Sequence, residues 1–276
     1  GSPTAVFTQT QSTDVPTGQG FAKSLKMDCT TADASLDADI FMRLDHRFEG
    51  QMLQYLKKGT SYAESITASF WVKSNKTGTY ICEFEDIDNG RTINKSYTIN
   101  TANTWEKKTI TFAGDTTGTL DNDNERSLNF SFYLGVGTTY TSGTLATSWE
   151  SRTNANRAVG QVNLADSTSN EWYVTGVQLE AGSVASDFEF LPVDVNLNRC
   201  LRYYETLTTG AQQAFGDACY YNTSTLYFSY QLRTTKRSVP TLDQVTGTDI
   251  YSFFRNNGSD NFNSFTSLSN RSTETA

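Results

Sequence analysis

The chain contains a single histidine, His46, and this limits the nucleophilic chemistry that the sequence can support. A serine or cysteine nucleophile needs a base within hydrogen-bond reach, and His46 would have to serve as that base. The carboxylate beside it, Asp45, is predicted to lie in the same strand, where adjacent side chains point to opposite faces. We therefore expect His46 at the surface or at a strand edge, outside any Ser-His-Asp or Cys-His site.

Paired carboxylates are the second candidate, because glycoside hydrolysis needs two of them at a suitable separation. Glu83, Glu85, Asp86 and Asp88 lie on one predicted hairpin, and Glu83 and Glu85 share one face of its first strand. The ordinary interpretation is solvated charge, and the chain has no internal repeat of the kind that builds solenoid enzymes. The sequence predicts a protein that is not an enzyme, with glycan cleavage as the weaker alternative.

The stretch DNDNER places acids at alternate positions, namely Asp121, Asp123 and Glu125. Oxygen-rich loops of this kind can hold Ca²⁺. The stretch lacks the glycine and the final glutamate that define an EF-hand loop. We interpret it as an acidic turn, keep the three residues as a weak calcium candidate, and expect no cofactor.

Glycan binding is the remaining chemistry, since sugar sites combine aromatic faces with a few well-placed polar groups. The candidate residues are aromatic and polar side chains of predicted loops: Tyr140, Trp149, Arg152, Asn154, Tyr221 and Tyr251. For each of them, packing in a core or in a subunit contact is the alternative. Trp71, Trp105 and Trp172 lie in predicted strands, and we expect them in the core.

The composition indicates that strands position these residues. The 276 residues are 13% aromatic and rich in Thr, Ser and Asn, which favour strands and turns. A net charge of −8 repels phosphate, so nucleic acid is not an expected partner. No apolar run reaches the roughly 20 residues that a membrane helix needs, so membrane insertion is not expected either.

Alternation of apolar and polar residues predicts about eight or nine strands before residue 182. Asn89-Gly90 predicts a hairpin with a type I′ turn, because both residues accept positive φ. Residues 138–170 lack periodicity, and loops of this length are usually functional or disordered. We predict an all-β fold: a two-sheet jelly-roll sandwich, a short hinge helix, and a smaller β domain.

The two predicted domains meet in the stretch QLEAGSVASDFEFLPVDVNLNRCLRYYE, residues 178–205. Pro192 disfavours helix before it, whereas Leu197, Cys200, Leu201 and Tyr204 follow helical spacing. We predict a jelly roll over residues 1–190 and a small β domain over 191–276. The second domain would open with a helix at 194–205 that buries this apolar stripe.

The four cysteines, Cys29, Cys82, Cys200 and Cys219, have no metal-ligand spacing. Their apolar and aromatic neighbours predict buried free thiols, and one disulfide is the open alternative. Gly1-Ser2 is typical of residues left by tag removal, and whether the native chain extends beyond residue 276 stays open.

These motifs resemble a known family. TGVQLEAGSVASDFEFLP, LNRCLRYYE and QLRTTKRSVPTL are similar to the C-terminal region of phage tail-fibre and tail-associated structural proteins. FAKSLKMDC, ASFWVKSNKTGTY, WEKKTITFAGDTTGTL and LNFSFYLGVG resemble the carbohydrate-binding-module-like jelly roll that precedes this region. The resemblance covers about residues 21–245.

The resemblance implies a non-enzymatic component of the phage tail fibre or spike, made in the bacterial cytoplasm and carried on the virion. Its expected work is attachment to the host surface, through a bacterial glycan or another receptor. It also implies self-association as a homotrimer and contact with other tail proteins. Related jelly rolls often hold calcium near an Asp pair of the last strand, where this chain has Thr175 and Gly176.

Two alternatives to attachment stay open. One is a purely structural spacer or assembly protein of the virion, which binds no sugar. The other is a tail enzyme that cleaves host glycan with Glu83 and Glu85.

Overall fold

The structure is a computed structural model that describes residues 4–209, 213, 214, 216–223 and 225–265. The chain divides into two compact units, Gly1–Glu189 and Phe190–Ala276. The division falls next to the predicted domain boundary. Among the described helices, none is long and apolar enough to cross a membrane.

The first unit contains ten strands: β1 Val6–Ser12, β2 Ser24–Thr31, β3 Phe41–Glu49, β4 Ile66–Ser74, β5 Gly78–Asp86, β6 Arg91–Ile99, β7 Glu106–Phe112, β8 Arg126–Val136, β9 Glu150–Ser151 and β10 Glu171–Ala181. They form two antiparallel five-stranded sheets. The first sheet has the order β1-β2-β10-β4-β7, and the second has the order β3-β8-β5-β6-β9. Two facing sheets of non-sequential strands confirm the predicted jelly-roll sandwich.

The core lies between the sheets and follows the alternation of the sequence. Phe70 of β4, Phe84 of β5 and Phe130 of β8 meet in it, with ring centroids of Phe84 and Phe130 4.8 Å apart. Trp172 of β10 is fully buried, as predicted. Each large apolar side chain buried here stabilises the fold by about 1.5–3 kcal/mol relative to exposure.

The alternation of β10 reverses within the strand, because a bulge interrupts its pairing with β4 between Thr175 and Gln178. Trp172 and Val174 point into the core before the bulge, and Leu179 packs against the core after it. Gly176 sits in the bulge with φ +59, and the ring of Phe21 lies where a Cβ atom would stand. Glycine is therefore needed at this position, because φ is positive and because a side chain would meet the ring of Phe21.

The predicted type I′ turn at Asn89-Gly90 is wrong. Asp86 of β5 pairs with Arg91 of β6, so the loop has four residues, and only Gly90 has positive φ. The Asp86 carboxylate accepts from the backbone N–H of Asn89 at 3.0 Å, and the Asn89 side chain donates to both of its oxygens, at 3.2 and 2.9 Å. The bond to the backbone is of Asx type and offers the chain an alternative to the tighter turn.

The long segment between β8 and β10 is ordered by short elements. It contains the 3₁₀ helices Thr138–Tyr140, Asn154–Asn156 and Leu164–Asp166, and β9, which pairs with β6. Its backbone bonds to the edge of the sheet, from Asn94 N to Ala146 O at 2.7 Å, and its Tyr140 and Ala158 pack on the outward side chains of Ile81 and Tyr133. The segment therefore covers part of the outer face of the second sheet.

The second unit opens with helix α1, Val193–Leu201, followed by strands β11 Asp217–Asn222, β12 Thr225–Ser229, β13 Tyr251–Arg255 and β14 Gly258–Phe262. The strands form two separate hairpins. The predicted helix over 194–205 is too long at its end, since α1 stops at Leu201. The predicted stripe is mostly exposed: Leu201 is buried, while Leu197 is 50% and Tyr204 70% exposed.

Two further expectations about burial are partly wrong. Cys29 and Cys82 are buried free thiols, as predicted, but Cys200 and Cys219 are exposed. Trp71 and Trp105 are only partly buried. Trp71 lies in β4 and Trp105 directly precedes β7, and these positions place both rings on the outer face of the first sheet.

Candidate functional site

The outer face of the second sheet carries charge where most sandwich faces carry small polar residues. Alternation turns Arg43 and Asp45 of β3, and Glu83 and Glu85 of β5, away from the core. Arg152 and Arg157 reach the same face from the covering segment. We call these six residues the arginine–glutamate face: Arg43, Asp45, Glu83, Glu85, Arg152 and Arg157.

Glu83 is the buried centre of this face. Arg157 donates to both of its oxygens, Nε to Oε2 at 2.8 Å and Nη2 to Oε1 at 2.5 Å. Arg43 Nη1 and Tyr133 OH also donate to Oε1, at 3.1 and 3.2 Å. Burial raises the pKa of the Glu83 carboxyl, and the paired guanidinium of Arg157 counters that effect. Forked pairing of this kind fixes both side chains in one geometry.

Glu85, two residues along the strand, lies nearer the surface and contacts three guanidinium groups. Its oxygens lie 2.8 Å from Arg152 Nη1, 3.0 Å from Arg43 Nη1 and 3.2 Å from Arg157 Nη2. Burial acts to raise the pKa of Glu85, but Arg157, Arg152 and Arg43 outweigh it and lower the pKa to about 2. Glu85 is therefore an anion at any physiological pH.

An aromatic rim borders the charged face. Phe41 of β3 is 42% exposed, and the guanidinium of Arg43 lies over its ring, 5.2 Å from the centroid. The ring of Tyr140 packs edge-on against Phe41 at 5.1 Å. Arg43 Nε also pairs with Asp45 at 2.9 Å, and Asp45 accepts from Ser131 Oγ at 2.7 Å. An exposed ring beside fixed donors and acceptors is the combination that sugar sites require.

Buried polar atoms without partners also lie on this face. Among the described residues, Thr92 Oγ1 and Asn129 Oδ1 make no hydrogen bond, and neither does Ser127 Oγ. Thr92 and Asn129 flank Glu85 on the two neighbouring strands. Leaving such a group unsatisfied costs about 1–3 kcal/mol, so these positions have unused capacity for a ligand or for water.

The structure brings together some of the residues that the sequence singles out. Arg152 is exposed and belongs to the arginine–glutamate face. Tyr140 is buried and supports the rim through Phe41. Asn154 is exposed on the covering segment, in the 3₁₀ helix Asn154–Asn156.

Trp149 takes part in a different cluster at the edge of the sandwich. Its indole Nε1 donates to Ala113 O at 2.7 Å, and its ring lies 4.7 Å from the ammonium of Lys58. Lys58 is buried and pairs with Asp86 and with Asp115, the latter at 2.9 Å. With its polar atom and one face engaged, Trp149 anchors the covering segment.

Tyr221 and Tyr251 belong to the second unit, whereas the arginine–glutamate face belongs to the first. Tyr221 is 70% exposed, and its ring lies 5.1 Å from that of Tyr227. Tyr251 stacks on Phe262 at 5.4 Å, and its hydroxyl donates to Val245 O. Both tyrosines pack within or beside the two hairpins of their unit.

The weak calcium candidate is not supported. In the part of the chain that the structure describes, no three acidic, histidine or cysteine side chains are grouped so as to hold a metal ion. Asp123 and Glu125 instead accept backbone bonds from Gln51 and Gly50 through their carbonyl oxygens, at 2.9 and 3.1 Å. These main-chain bonds make the DNDNER stretch a turn that fastens the start of β8 to the end of β3.

Sequence reasoning missed Arg43, Arg157 and Phe41 as parts of a site. A signal was present, because charged residues alternate with Leu44 in β3 and with Phe84 in β5. Such alternation shows that two charged faces exist. It does not show that they lie on one sheet, since β3 and β5 are joined through β8, which comes later in the chain.

Comparison with known proteins gives no family. No family model matches the chain, and no curated protein matches it. Among solved structures, it is similar to the enzymatically active domain of tailspike protein 4 of bacteriophage CBA120, with 13% identity and a TM-score of 0.34. That match covers 63% of this chain and 18% of the tailspike chain.

A second similarity is to the family 11 carbohydrate-binding module of the cellulase Lic26A-Cel5E of Clostridium thermocellum. It has 12% identity and a TM-score of 0.35, and covers 67% of this chain and 86% of the module. A third structure, described as "CBM4 structure and function", has 14% identity and a TM-score of 0.31, with 63% and 77% covered. At these scores the likeness does not identify what this chain binds.

Proposed function

We propose that this chain is a non-enzymatic phage tail component that attaches to the host surface by binding glycan on the arginine–glutamate face. The observation that carries the proposal is the exposed ring of Phe41 beside a rigid array of charged donors and acceptors. A sugar can stack on the ring while its hydroxyl groups bond to the array. The paired groups Arg43, Glu83 and Arg157 are already held in one geometry, which reduces the entropic cost of binding.

Binding without hydrolysis is supported by the state of the two carboxylates. A glycosidase needs one carboxyl with a raised pKa that reaches the leaving oxygen. Glu83 is fully buried behind Arg157 and Tyr133, and Glu85 is held as an anion by three arginines. Neither group is placed to donate a proton to a bound sugar.

The place of the protein on the phage virion is supported by the motifs around QLEAGS and CLRYYE, which resemble tail-fibre sequences. Self-association, which we propose to be trimeric, is supported by the second unit. Leu201 is the one buried hydrophobic residue among those described in this unit, while Tyr204, Tyr221 and Phe254 are at least 70% exposed. A unit with so little core needs a partner surface.

The test is binding of the purified chain to host cells and to a glycan array, compared between the wild type and Phe41→Ala. We expect the variant to lose about tenfold or more in affinity, because an aromatic stack and its area are removed. The matched control is Tyr62→Ala, which removes a 77% exposed ring outside the face. Binding to neither cells nor glycans would leave the spacer function as the better explanation.

A further inference from the structure

One row of the second sheet combines a free cation with unpaired polar atoms. Arg47 of β3 is the register partner of Asn129 of β8. Asn129 is the partner of Glu85 of β5, and Glu85 is the partner of Thr92 of β6. All four side chains point away from the core, and directly opposed Cβ atoms in antiparallel strands lie about 4.5–5.5 Å apart. The row thus forms a continuous polar strip across four strands.

Arg47 is the cation of this strip, and no carboxylate of the described residues forms an ion pair with it. It is exposed, and among the described residues it has neither an ion-pair nor a hydrogen-bond partner. The other arginines, Arg43, Arg152 and Arg157, are each paired with Asp45, Glu83 or Glu85. Within the described part of the chain, Arg47 is therefore the one guanidinium of these four without an ion pair. The nearest acid along β3, Glu49, is buried and accepts a hydrogen bond from Gln51 Nε2 at 2.8 Å.

Glu150, the acidic residue at the opposite edge of the sheet, does not neutralise the charge of Arg47. Glu150 of β9 accepts a hydrogen bond from Asn156 at 2.8 Å. It is separated from β3 by four strand spacings, or about 19 Å at 4.7–4.9 Å each. At that distance and in solvent, screening removes most of the attraction.

Asn129 provides an acceptor next to the free guanidinium. Its Nδ2 faces Glu85 Oε2 at 3.4 Å, and its Oδ1 has no donor although the residue is fully buried. The long exposed side chains of Arg47 and Arg152 are the neighbours that can move to admit a ligand. A group that bonds here must accept from a guanidinium and donate to an amide oxygen.

We infer that the glycan of the proposed function is acidic, and that a sugar carboxylate binds Arg47 while an adjacent hydroxyl donates to Asn129 Oδ1. This inference rests on the proposed glycan binding. A uronic acid meets both requirements, since its carboxylate matches the planar fork of arginine and its ring hydroxyl groups are donors. A neutral sugar would leave the guanidinium without its ionic partner.

The experiment measures binding of the full chain to oligosaccharides of galacturonate, glucuronate and mannuronate, each beside its carboxyl-reduced form. We expect at least one acidic oligosaccharide to bind about tenfold to a hundredfold more tightly than its reduced form. Arg47→Gln should remove most of that difference, and Arg47→Lys should restore only part of it. Lys107→Gln, which deletes an exposed charge on the outer face of the first sheet, should have no effect.

The outcomes separate the inference from the proposed function. Equal affinity for the acidic and the carboxyl-reduced oligosaccharides overturns the inference and leaves glycan binding intact. A preference for the acidic form that Arg47→Gln does not change has the same consequence. Equal affinity for single-stranded DNA would show that charge alone is recognised, and would also overturn it. Absence of binding to any acidic or neutral oligosaccharide and to host cells would overturn both.

Discussion

At the scale of single residues, the ionisation of Glu85 links the charged face to stability. Its folded pKa of about 2 lies below the ordinary value of 4.5. The stabilisation is therefore complete above pH 4.5 and is lost as pH falls through the folded pKa, towards 2. A difference of this size corresponds to a contribution on the order of 3 kcal/mol.

The first prediction concerns this acid dependence. Glu85→Gln cannot titrate, so the difference in unfolding free energy between wild type and variant should shrink by on the order of 3 kcal/mol between pH 5 and pH 2. Urea denaturation at a series of pH values measures it. Curves that stay parallel over this range would contradict the assignment of Glu85 as the titrating group.

The second prediction concerns Arg157, the forked partner of Glu83. Arg157→Met leaves a buried carboxylate with fewer donors and should cost about 3–5 kcal/mol of unfolding free energy. Adding Glu83→Gln should recover part of this loss, because no unpaired charge is then buried. Arg152→Met, at an exposed guanidinium, should cost only about 1 kcal/mol. Equal losses of unfolding free energy for Arg157→Met and Arg152→Met would show that burial of the guanidinium does not determine the size of the loss.

The sequence predicts part of the residue-level site and misses the rest for a physical reason. Alternation correctly places Glu83 and Glu85 on one face of β5. Arg43 and Arg157 lie 40 and 74 residues from Glu83 in the chain, and no local pattern joins them. The strand order of the sandwich brings Arg43 within bonding distance, and the covering segment between β8 and β10 brings Arg157.

At the scale of elements, regular alternation makes β4, β5 and β8 predictable. The sequence pattern fails where the backbone is irregular. The bulge at Gly176 reverses the inward face of β10, and the Asx bond from Asn89 N to the Asp86 carboxylate replaces the expected tight turn. α1 ends at Leu201, before the full spacing pattern is used. In the first two cases a glycine with positive φ or a local hydrogen bond, rather than hydrophobic periodicity, decides the structure.

The third prediction tests the bulge. Gly176→Ala meets both an unfavourable φ of +59 and the ring of Phe21, and should cost about 2–4 kcal/mol. Gly90→Ala, at a matching φ of +60 with no atom within 4 Å of the added Cβ, isolates the backbone term and should cost less. Thermal or urea unfolding compares the two. If Gly90→Ala were as costly as Gly176→Ala, the contact with Phe21 would have no part in the strand's geometry.

At the scale of the whole molecule, the two units differ in how they are held together. The first has a continuous aromatic core between two sheets. The second has two separate hairpins, and two-stranded hairpins alone are marginally stable. We expect the first unit to fold independently and the second to depend on association.

The fourth prediction follows from that difference. By light scattering, the full chain should have three times the mass of one chain, whereas residues 4–189 should be monomeric and keep the far-ultraviolet signature of a β sandwich. Leu197→Asp, on the exposed face of α1, should shift the full chain towards monomer. A single-chain mass for the wild type at micromolar concentration would reject the trimer.

The distribution of the thiols has a practical consequence. Cys29 and Cys82 are enclosed in the sandwich, and burial raises the pKa of both thiols, whereas Cys200 and Cys219 face solvent in the second unit. Maleimide reagents will therefore attach to the second unit without chemical change to the sandwich. Fluorophores or biosensor surfaces can be coupled at native positions, which supplies a labelled protein for the cell-binding and glycan-array tests.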